Sequence, residues 1–340
     1  MTLLLVSSYK KVDTNEYVEL LADEYMKKGI QVIFEEQNFL YSNFIPDIIH
    51  IQWPESIYRW KKLLQMDTEG LKLLENRINW YKQNKTKIVY TVHNLQPHDN
   101  CETFDLEVYG VFLRNADIIV HHGKNSIKLI QDKYKETINS KHIVAPHGSY
   151  PVQKLIEKNI AQKKYAIPDN KIIFTNFGLQ RSYKGGDFNL EVFKALNYKD
   201  ICYFCAGMLV GDTKPFEIDQ DELCTRQLYK KISPEELKDI ISATDVFFLG
   251  HSSGLNSGLI HLAISYSKPI IFPDIGNFKE QADGFEFFET YEVANVESSI
   301  RAINRMLKKL EQNKNKIFNN LEWLNKNSWE NHVNMILNEL

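Results

Sequence analysis

At 340 residues the chain exceeds what one hydrophobic core usually serves, so two domains of about 150 residues each are expected. A net charge of -3, with 43% hydrophobic and 25% charged residues, belongs to a globular protein and excludes a dedicated nucleic-acid binder. No apolar run has membrane-crossing length and Met1–Ser8 is too short for a signal peptide, which points to a cytoplasmic protein.

Short apolar runs alternate with helical patterns, as in α/β architecture with parallel sheets. In the first half, strands are predicted at Leu3–Val6, Val32–Phe34, Ile48–Gln52, Ile88–Val92, Ile118–Val120 and Ile143–Ala145. Between the first two, Asp13 and Glu16 have capping-box spacing, and Tyr17, Leu20, Leu21 and Tyr25 recur at helical spacing until Gly29. Ile57–Leu64 mixes basic and aromatic residues and reads as a core-facing helix or as an interfacial one.

After Pro146 the pattern lapses into the Lys-rich stretch Gln153–Asn170, where the domain boundary is placed. The first domain then spans 1–152 and the second 169–324. Strands resume at Ile172–Phe177, Ile201–Ala206, Val246–Leu249 and Ile270–Phe272, with helices near Phe188–Leu196, Pro234–Ala243 and Asn256–Tyr266. Cys202 and Cys205 form a C-x-x-C, but a strand sends them to opposite faces, so they read as core rather than as a redox or zinc pair. The tail from Val296 is helical with a Lys/Asn-rich break, and its last piece, about 325–340, is assigned back to the first domain.

Chemistry gathers at predicted strand ends. Gly178-Leu-Gln-Arg181-Ser-Tyr-Lys184-Gly185-Gly186 leaves one strand and enters a helix, so its backbone N–H groups, Arg181 and Lys184 could hold a diphosphate. A solvated surface loop is the alternative. Gly250 to Gly258 does the same one βα unit later, where Asn256, Ser257 and Gly258 are either anion donors or a simple N-cap. Asp274 and Glu280, beyond the next strand, are placed to receive sugar or ribose hydroxyls. In the first half, His93 and Asn94 end one strand, followed by His98, and Trp53 and Glu55 end another, a combination suited to a sugar ring. His147 follows the last strand of that half. The Asp219-Gln220-Asp221 triplet lies in a polar loop rather than at a buried strand end and is discounted as a metal site.

In order along the chain, these segments resemble the GT-B glycosyltransferases, and within them the retaining family-four enzymes of bacterial surface-polysaccharide synthesis. Phe177–Gly185 is similar to that family's Arg-x-x-Lys-Gly loop, and Ser257 to Glu280, with Lys268-Pro269 inside it, to its donor-site helix, strand and turn. Asp47–Glu55, Thr91–Asp99 and Pro146–Gly148 look like its N-domain segments. The resemblance implies two doubly wound Rossmann-like domains facing a cleft, with a nucleoside-diphosphate sugar on the C-terminal domain held by Arg181, Lys184 and Ser257–Gly258. Gly178, Asp274 and Glu280 would meet the sugar or nucleotide. It implies His93 at the donor sugar, and a glycan or lipid-linked acceptor near Trp53, Glu55, His98 and His147. No metal or further cofactor would be needed, and a lipid-linked acceptor would bring weak peripheral contact with the inner face of the plasma membrane. The sequence departs from the family at two positions, Gly254 and Leu262, where paired glutamates are usual. A nucleotide-sugar epimerase of the same fold and a noncatalytic GT-B-like subunit are the competing functions.

Overall fold

Buried β-branched and aromatic runs build two parallel six-stranded sheets in this computed structural model, which describes residues 1–8, 16–97, 100–137, 140–217, 223–313 and 318–340. The chain divides into one unit of residues 1–148 with 326–340 and another of residues 149–325. His98, Asp13 and the Asp219–Asp221 triplet lie outside the described residues.

In the first unit the strands are β1 (Thr2–Val6), β2 (Gln31–Phe34), β3 (Ile48–Ile51), β4 (Lys87–Thr91), β5 (Ile118–His121) and β6 (Lys141–Val144), in the order β2-β1-β3-β4-β5-β6. The inner strands β3 and β5 are wholly buried, whereas the edge strands β2 and β6 are mostly half-exposed. Helices on both faces of a parallel sheet require such two-sided apolar strands. The helix Tyr17–Lys27 lays Tyr17, Leu21 and Tyr25 on the core. Onto the same cluster the helix Trp329–Leu337 brings Trp329, Val333 and Ile336, its start capped by Ser328, whose Oγ accepts from the Asn331 N–H at 3.1 Å.

The second unit holds β7 (Ile172–Phe177), β8 (Ile201–Ala206), β9 (Thr225–Leu228), β10 (Val246–Phe248), β11 (Ile270–Pro273) and β12 (Phe288–Tyr291), ordered β12-β11-β10-β7-β8-β9. Alternation along β8 puts Cys202 in one core cluster and Cys205 in the other, so the C-x-x-C is split between the two faces of the sheet. The edge strands β9 and β12 are absent from the sequence expectation. Their segments, Thr-Arg-Gln-Leu and Phe-Glu-Thr-Tyr, need only one well-packed neighbour and carry no apolar run.

Two other expectations change. The stretch read as a polar linker contains the helix Lys158–Lys164, which buries Ala161 and Gln162; its lysines reach Asp245 and Asp239 at 2.6 Å each. Ile57–Leu64 begins in a π-helical turn, Ser56–Trp60, that buries Ile57 and Tyr58. Arg59 there grips the buried Asp105 through Nε, 2.7 Å from Oδ1. Trp60 of the same turn stays exposed, and no described helix is long and apolar enough to cross a membrane.

Candidate active site

In a doubly wound sheet a crevice opens at the strand carboxyl ends where the chain changes direction. The second unit reverses between β7 and β10, and the two loops singled out in the sequence are the ones that leave those strands. Gly185 has φ +67°, and a Cβ on it would lie 1.9 Å from the Gly250 carbonyl oxygen; one on Gly250 would lie 1.9 Å from Asn189 Oδ1. Only two glycines permit this approach. The Ser252 N–H donates to the Tyr183 carbonyl at 2.8 Å, so the loops form one continuous surface.

On that surface Lys184 is half-buried, its ammonium nitrogen 3.3 Å from where a Cβ on Gly178 would stand. Burial, and then the charge of half-buried Arg181, pull the Lys184 pKa down to about 8. A cation whose charge is disfavoured by its own surroundings gains most from an arriving anion. Gly185→Ala is expected to disturb this arrangement: a side chain at positive φ that also strikes Gly250 should push the loops apart. Thermal melts should fall by several degrees, on the order expected for a strained, overpacked backbone contact.

The helix Gly258–Ser265 begins at the β10 loop, and the Ser257 hydroxyl does not cap it. Its first N–H groups lack intrahelical partners by construction. The expected donors are partly engaged, however. The Ser257 N–H donates to Gln281 Oε1 at 3.0 Å, so it is not available to an anion, and Asn256 Oδ1 accepts from Asn277 Nδ2 at 2.8 Å. Gly258 is exposed at the helix start, with the Tyr150 hydroxyl 3.1 Å from where its Cβ would be. Asp274 and Glu280 are both exposed just beyond β11, the neighbour of β10.

The first unit reverses between β1 and β3. Gln52 and Trp53 follow β3, and His93 follows β4 two residues on. The Trp53 and His93 rings stack with centroids 4.0 Å apart and planes 16° apart. Tyr17 stands edge-on to His93 at 4.8 Å, to His147 at 5.0 Å and to Trp329 at 5.0 Å. His122 joins this patch 5.4 Å from His93 and 5.5 Å from His147, and His332 lies 5.6 Å from His122. Carbonyl acceptors fix several imidazoles: His122 Nδ1 donates to Ala145 at 3.0 Å, His332 Nδ1 to Pro146 at 2.9 Å and His147 Nδ1 to Gly148 at 2.6 Å. Burial, followed by neighbouring His122 and His147, holds His93 well below the ordinary histidine pKa.

Thus the structure brings Trp53, His93 and His147 together, with Asn94 half-buried beside His93. Glu55 is turned away from solvent: its Oε1 accepts from the Tyr109 hydroxyl at 2.7 Å, and burial raises its pKa. Sequence reasoning missed Tyr17, Gln52, His122, Trp329 and His332 in this patch, and Tyr150 and Asn189 in the second unit. The His121-His122 pair after a strand, and Trp329 with His332 one helical turn apart, were the available signals. Among the described residues no group of three or more His, Cys, Asp or Glu side chains is placed to hold a metal ion.

No family model and no curated protein matches the sequence. Solved structures do match along the full chain. Sucrose-phosphate synthase from Thermosynechococcus elongatus is similar at 15% identity and TM-score 0.64, over 98% of this chain and 94% of that one. HepE from Anabaena, in complex with UDP, matches at 10% identity and TM-score 0.65 over 100% of both chains. The UDP-forming α,α-trehalose-phosphate synthase from Burkholderia xenovorans, in complex with glucose-6-phosphate, matches at 10% identity and TM-score 0.64 over 100% of this chain and 99% of that one. These likenesses establish the GT-B fold, two Rossmann-like units, for this chain.

Proposed function

We propose that this protein is a glycosyltransferase that moves a hexose from a nucleoside-diphosphate sugar to a glycan or lipid-linked acceptor. The observation that supports the proposal is the paired loop surface at the β7/β10 reversal, which carries Arg181 and half-buried Lys184, two cations suited to a diphosphate. As the sugar–phosphate bond breaks, negative charge grows on the departing diphosphate, and prepositioned cations and N–H groups stabilise it without reorganising. In this proposal the second unit holds the donor and the first receives the acceptor. Asp274 and Glu280, both exposed beyond β11, are the carboxylates proposed to meet sugar or ribose hydroxyls. The uridine diphosphate bound by HepE supports UDP as the leaving group.

His93 suits hydrogen bonding better than proton abstraction. A general base works best with a pKa near the operating pH, and this imidazole is held well below that. Trp53 and His147 share its patch and fit an acceptor ring. Polysaccharide synthesis, metal-independent transfer and work at the inner membrane face belong to the same proposal and rest on the family resemblance.

Gly254 and Leu262, in place of paired carboxylates, favour a second function, a noncatalytic subunit that pairs with another glycosyltransferase. Calorimetric titration with UDP separates the two. A donor-binding enzyme should bind it below pH 8, with affinity falling as pH rises past about 8 because Lys184 must take up a proton to meet the anion. Above that pH the slope should approach about tenfold per unit for one linked proton. No binding of any nucleoside diphosphate at neutral pH would favour the noncatalytic subunit.

A further inference from the structure

We propose that Cys224 is a peroxide-reactive thiol and Cys202 its resolving partner, the two closing reversibly into a disulfide that ties edge strand β9 to β8. The C-x-x-C is not this pair, since Cys202 and Cys205 lie on opposite faces of the sheet. Strand register makes it instead. β8 and β9 run parallel from Tyr203 opposite Thr225 to Ala206 opposite Leu228, and the Tyr203 N–H donates to the Cys224 carbonyl at 2.9 Å, so one rung earlier Cys202 stands opposite Cys224. Side chains at one rung of a parallel pair share a face, and both cysteines join the same hydrophobic cluster, Cys202 wholly buried and Cys224 at its half-buried edge. Neighbouring strands lie about 4.8 Å apart, within the Cα separation of about 4.4–6.8 Å that a disulfide spans.

The surroundings divide the two thiols into roles. Arg226, two residues along from Cys224 and so on the same face, and Lys171 are the cations beside that sulfur. Arg226 Nε donates to the Tyr165 and Ala166 carbonyls at 3.1 and 3.0 Å, and Lys171 Nζ donates to the Lys199 carbonyl. Among the described residues neither cation pairs with a carboxylate, which leaves their charge to a thiolate. Hydrogen bonding from the Cys202 thiol, then Arg226 and Lys171, lowers the Cys224 pKa against the effect of burial, whereas the same contact and burial raise that of Cys202. A thiolate is the nucleophile, so Cys224 reacts first. Its sulfur takes one oxygen from hydrogen peroxide, giving a sulfenic acid and hydroxide. The Cys202 sulfur then displaces that oxygen as water, its thiol proton leaving with it, and the S–S bond forms. Two thiols and one peroxide thus give one disulfide and two waters, and an external dithiol returns both thiols. The couple sits at the amino ends of β8 and β9, away from the strand carboxyl ends assigned to the donor, so its chemistry is independent of the proposed transfer.

The test exposes the full-length, reduced protein to hydrogen peroxide at about pH 7, blocks the remaining thiols with iodoacetamide and locates the modifications by peptide mass spectrometry. Expected is a Cys202–Cys224 crosslink that dithiothreitol reverses, formed while Cys205 can still be alkylated after unfolding. Cys101 is the internal control: it too is half-buried, but burial raises its pKa. Iodoacetamide given to the reduced, folded protein should therefore modify Cys224 about tenfold faster than Cys101, since the reactive thiolate fraction grows as the pKa falls. In Cys202→Ser the peroxide product should stop at a Cys224 sulfenic acid trapped by dimedone, and in Cys224→Ser Cys202 should remain a thiol. Should Cys202→Ser fold poorly, Cys224→Ser at the half-buried position and the wild-type crosslink still decide. A Cys224 no faster than Cys101, a sulfenic acid that persists in the wild type without a crosslink, or a Cys224 crosslink to Cys101 or Cys205 in place of Cys202 overturns the couple.

Discussion

Changing Arg181 and Lys184 together to alanine is expected to reduce sugar transfer by about 10³- to 10⁴-fold while the protein stays folded. Removal of one preorganised donor to a developing negative charge typically costs about 10²–10³ in kcat. Two cations serving one diphosphate are coupled, so their losses should fall short of additive. The fold should tolerate the change for a reason visible in Lys184: burial and Arg181 already oppose its charge, so truncation relieves a cost at neutral pH rather than creating one. Neither residue belongs to the hydrophobic clusters of the second unit. The measurement is acceptor-dependent release of nucleoside diphosphate, paired with thermal melts of each variant. Wild-type transfer rates in the double variant would sink the assignment of this loop. Release of nucleotide from the wild type without acceptor, and without a transferred product, would point to an epimerase.

What could be read from sequence followed from how each feature is spread along the chain. The strands β7 and β8 are packed on both faces, so Ile-Ile-Phe-Thr-Asn-Phe and Ile-Cys-Tyr-Phe-Cys-Ala stand out as near-continuous apolar runs. The edge strands β9 and β12 are packed on fewer sides, and their polar residues hid them. The helix Lys158–Lys164 was hidden for a related reason: its charges serve ion pairs to Asp245 and Asp239, so it lacks the apolar stripe that announces a helix. The Gly178–Gly186 loop was legible because Arg181, Lys184 and the glycines that shape it lie within nine residues. That Gly185 and Gly250 touch was not, since a contact 65 residues apart leaves no local pattern; only the doubly wound order brings those strand ends together.

The histidine patch is the extreme case. Tyr17, Trp53, His93, His122, His147 and Trp329 come from six segments spread over almost the whole chain, and each alone resembles an ordinary core or strand-end residue. Tyr17 was read only as one position of a helical stripe, yet its ring touches the five other members of the patch. Glu55 shows the reverse: an acid beside an aromatic at a strand end resembles a sugar contact, but its carboxyl is committed to Tyr109 within the core.

That patch should make the first unit strongly acid-sensitive, the second large effect expected. His50 in β3, bonded to the Tyr25 and Thr91 hydroxyls, and His93, His122 and His332 of the patch are all buried, and burial is the leading cause that lowers each pKa, in His332 to about 4. The unfolded chain, with histidines near the ordinary 6.5, therefore binds more protons than the folded one, and stability rises with pH. The contribution is fully present above pH 6.5 and is lost as pH falls toward the folded values. At pH 5 a histidine kept neutral by the fold forfeits about 1.5 × 1.36, or about 2 kcal/mol, and several together take a large share of the stability of a typical domain. Urea unfolding followed by tryptophan fluorescence, with Trp53 and Trp329 in the patch as reporters, should show the midpoint collapsing between pH 6.5 and 5. His332→Asn keeps a donor for the Pro146 carbonyl but does not titrate, so it should remove about one proton from the pH slope in that window. A midpoint constant from pH 7 to 5 would mean these imidazoles reach water or accept protons in place, and neutrality of His93 would then lose its physical basis.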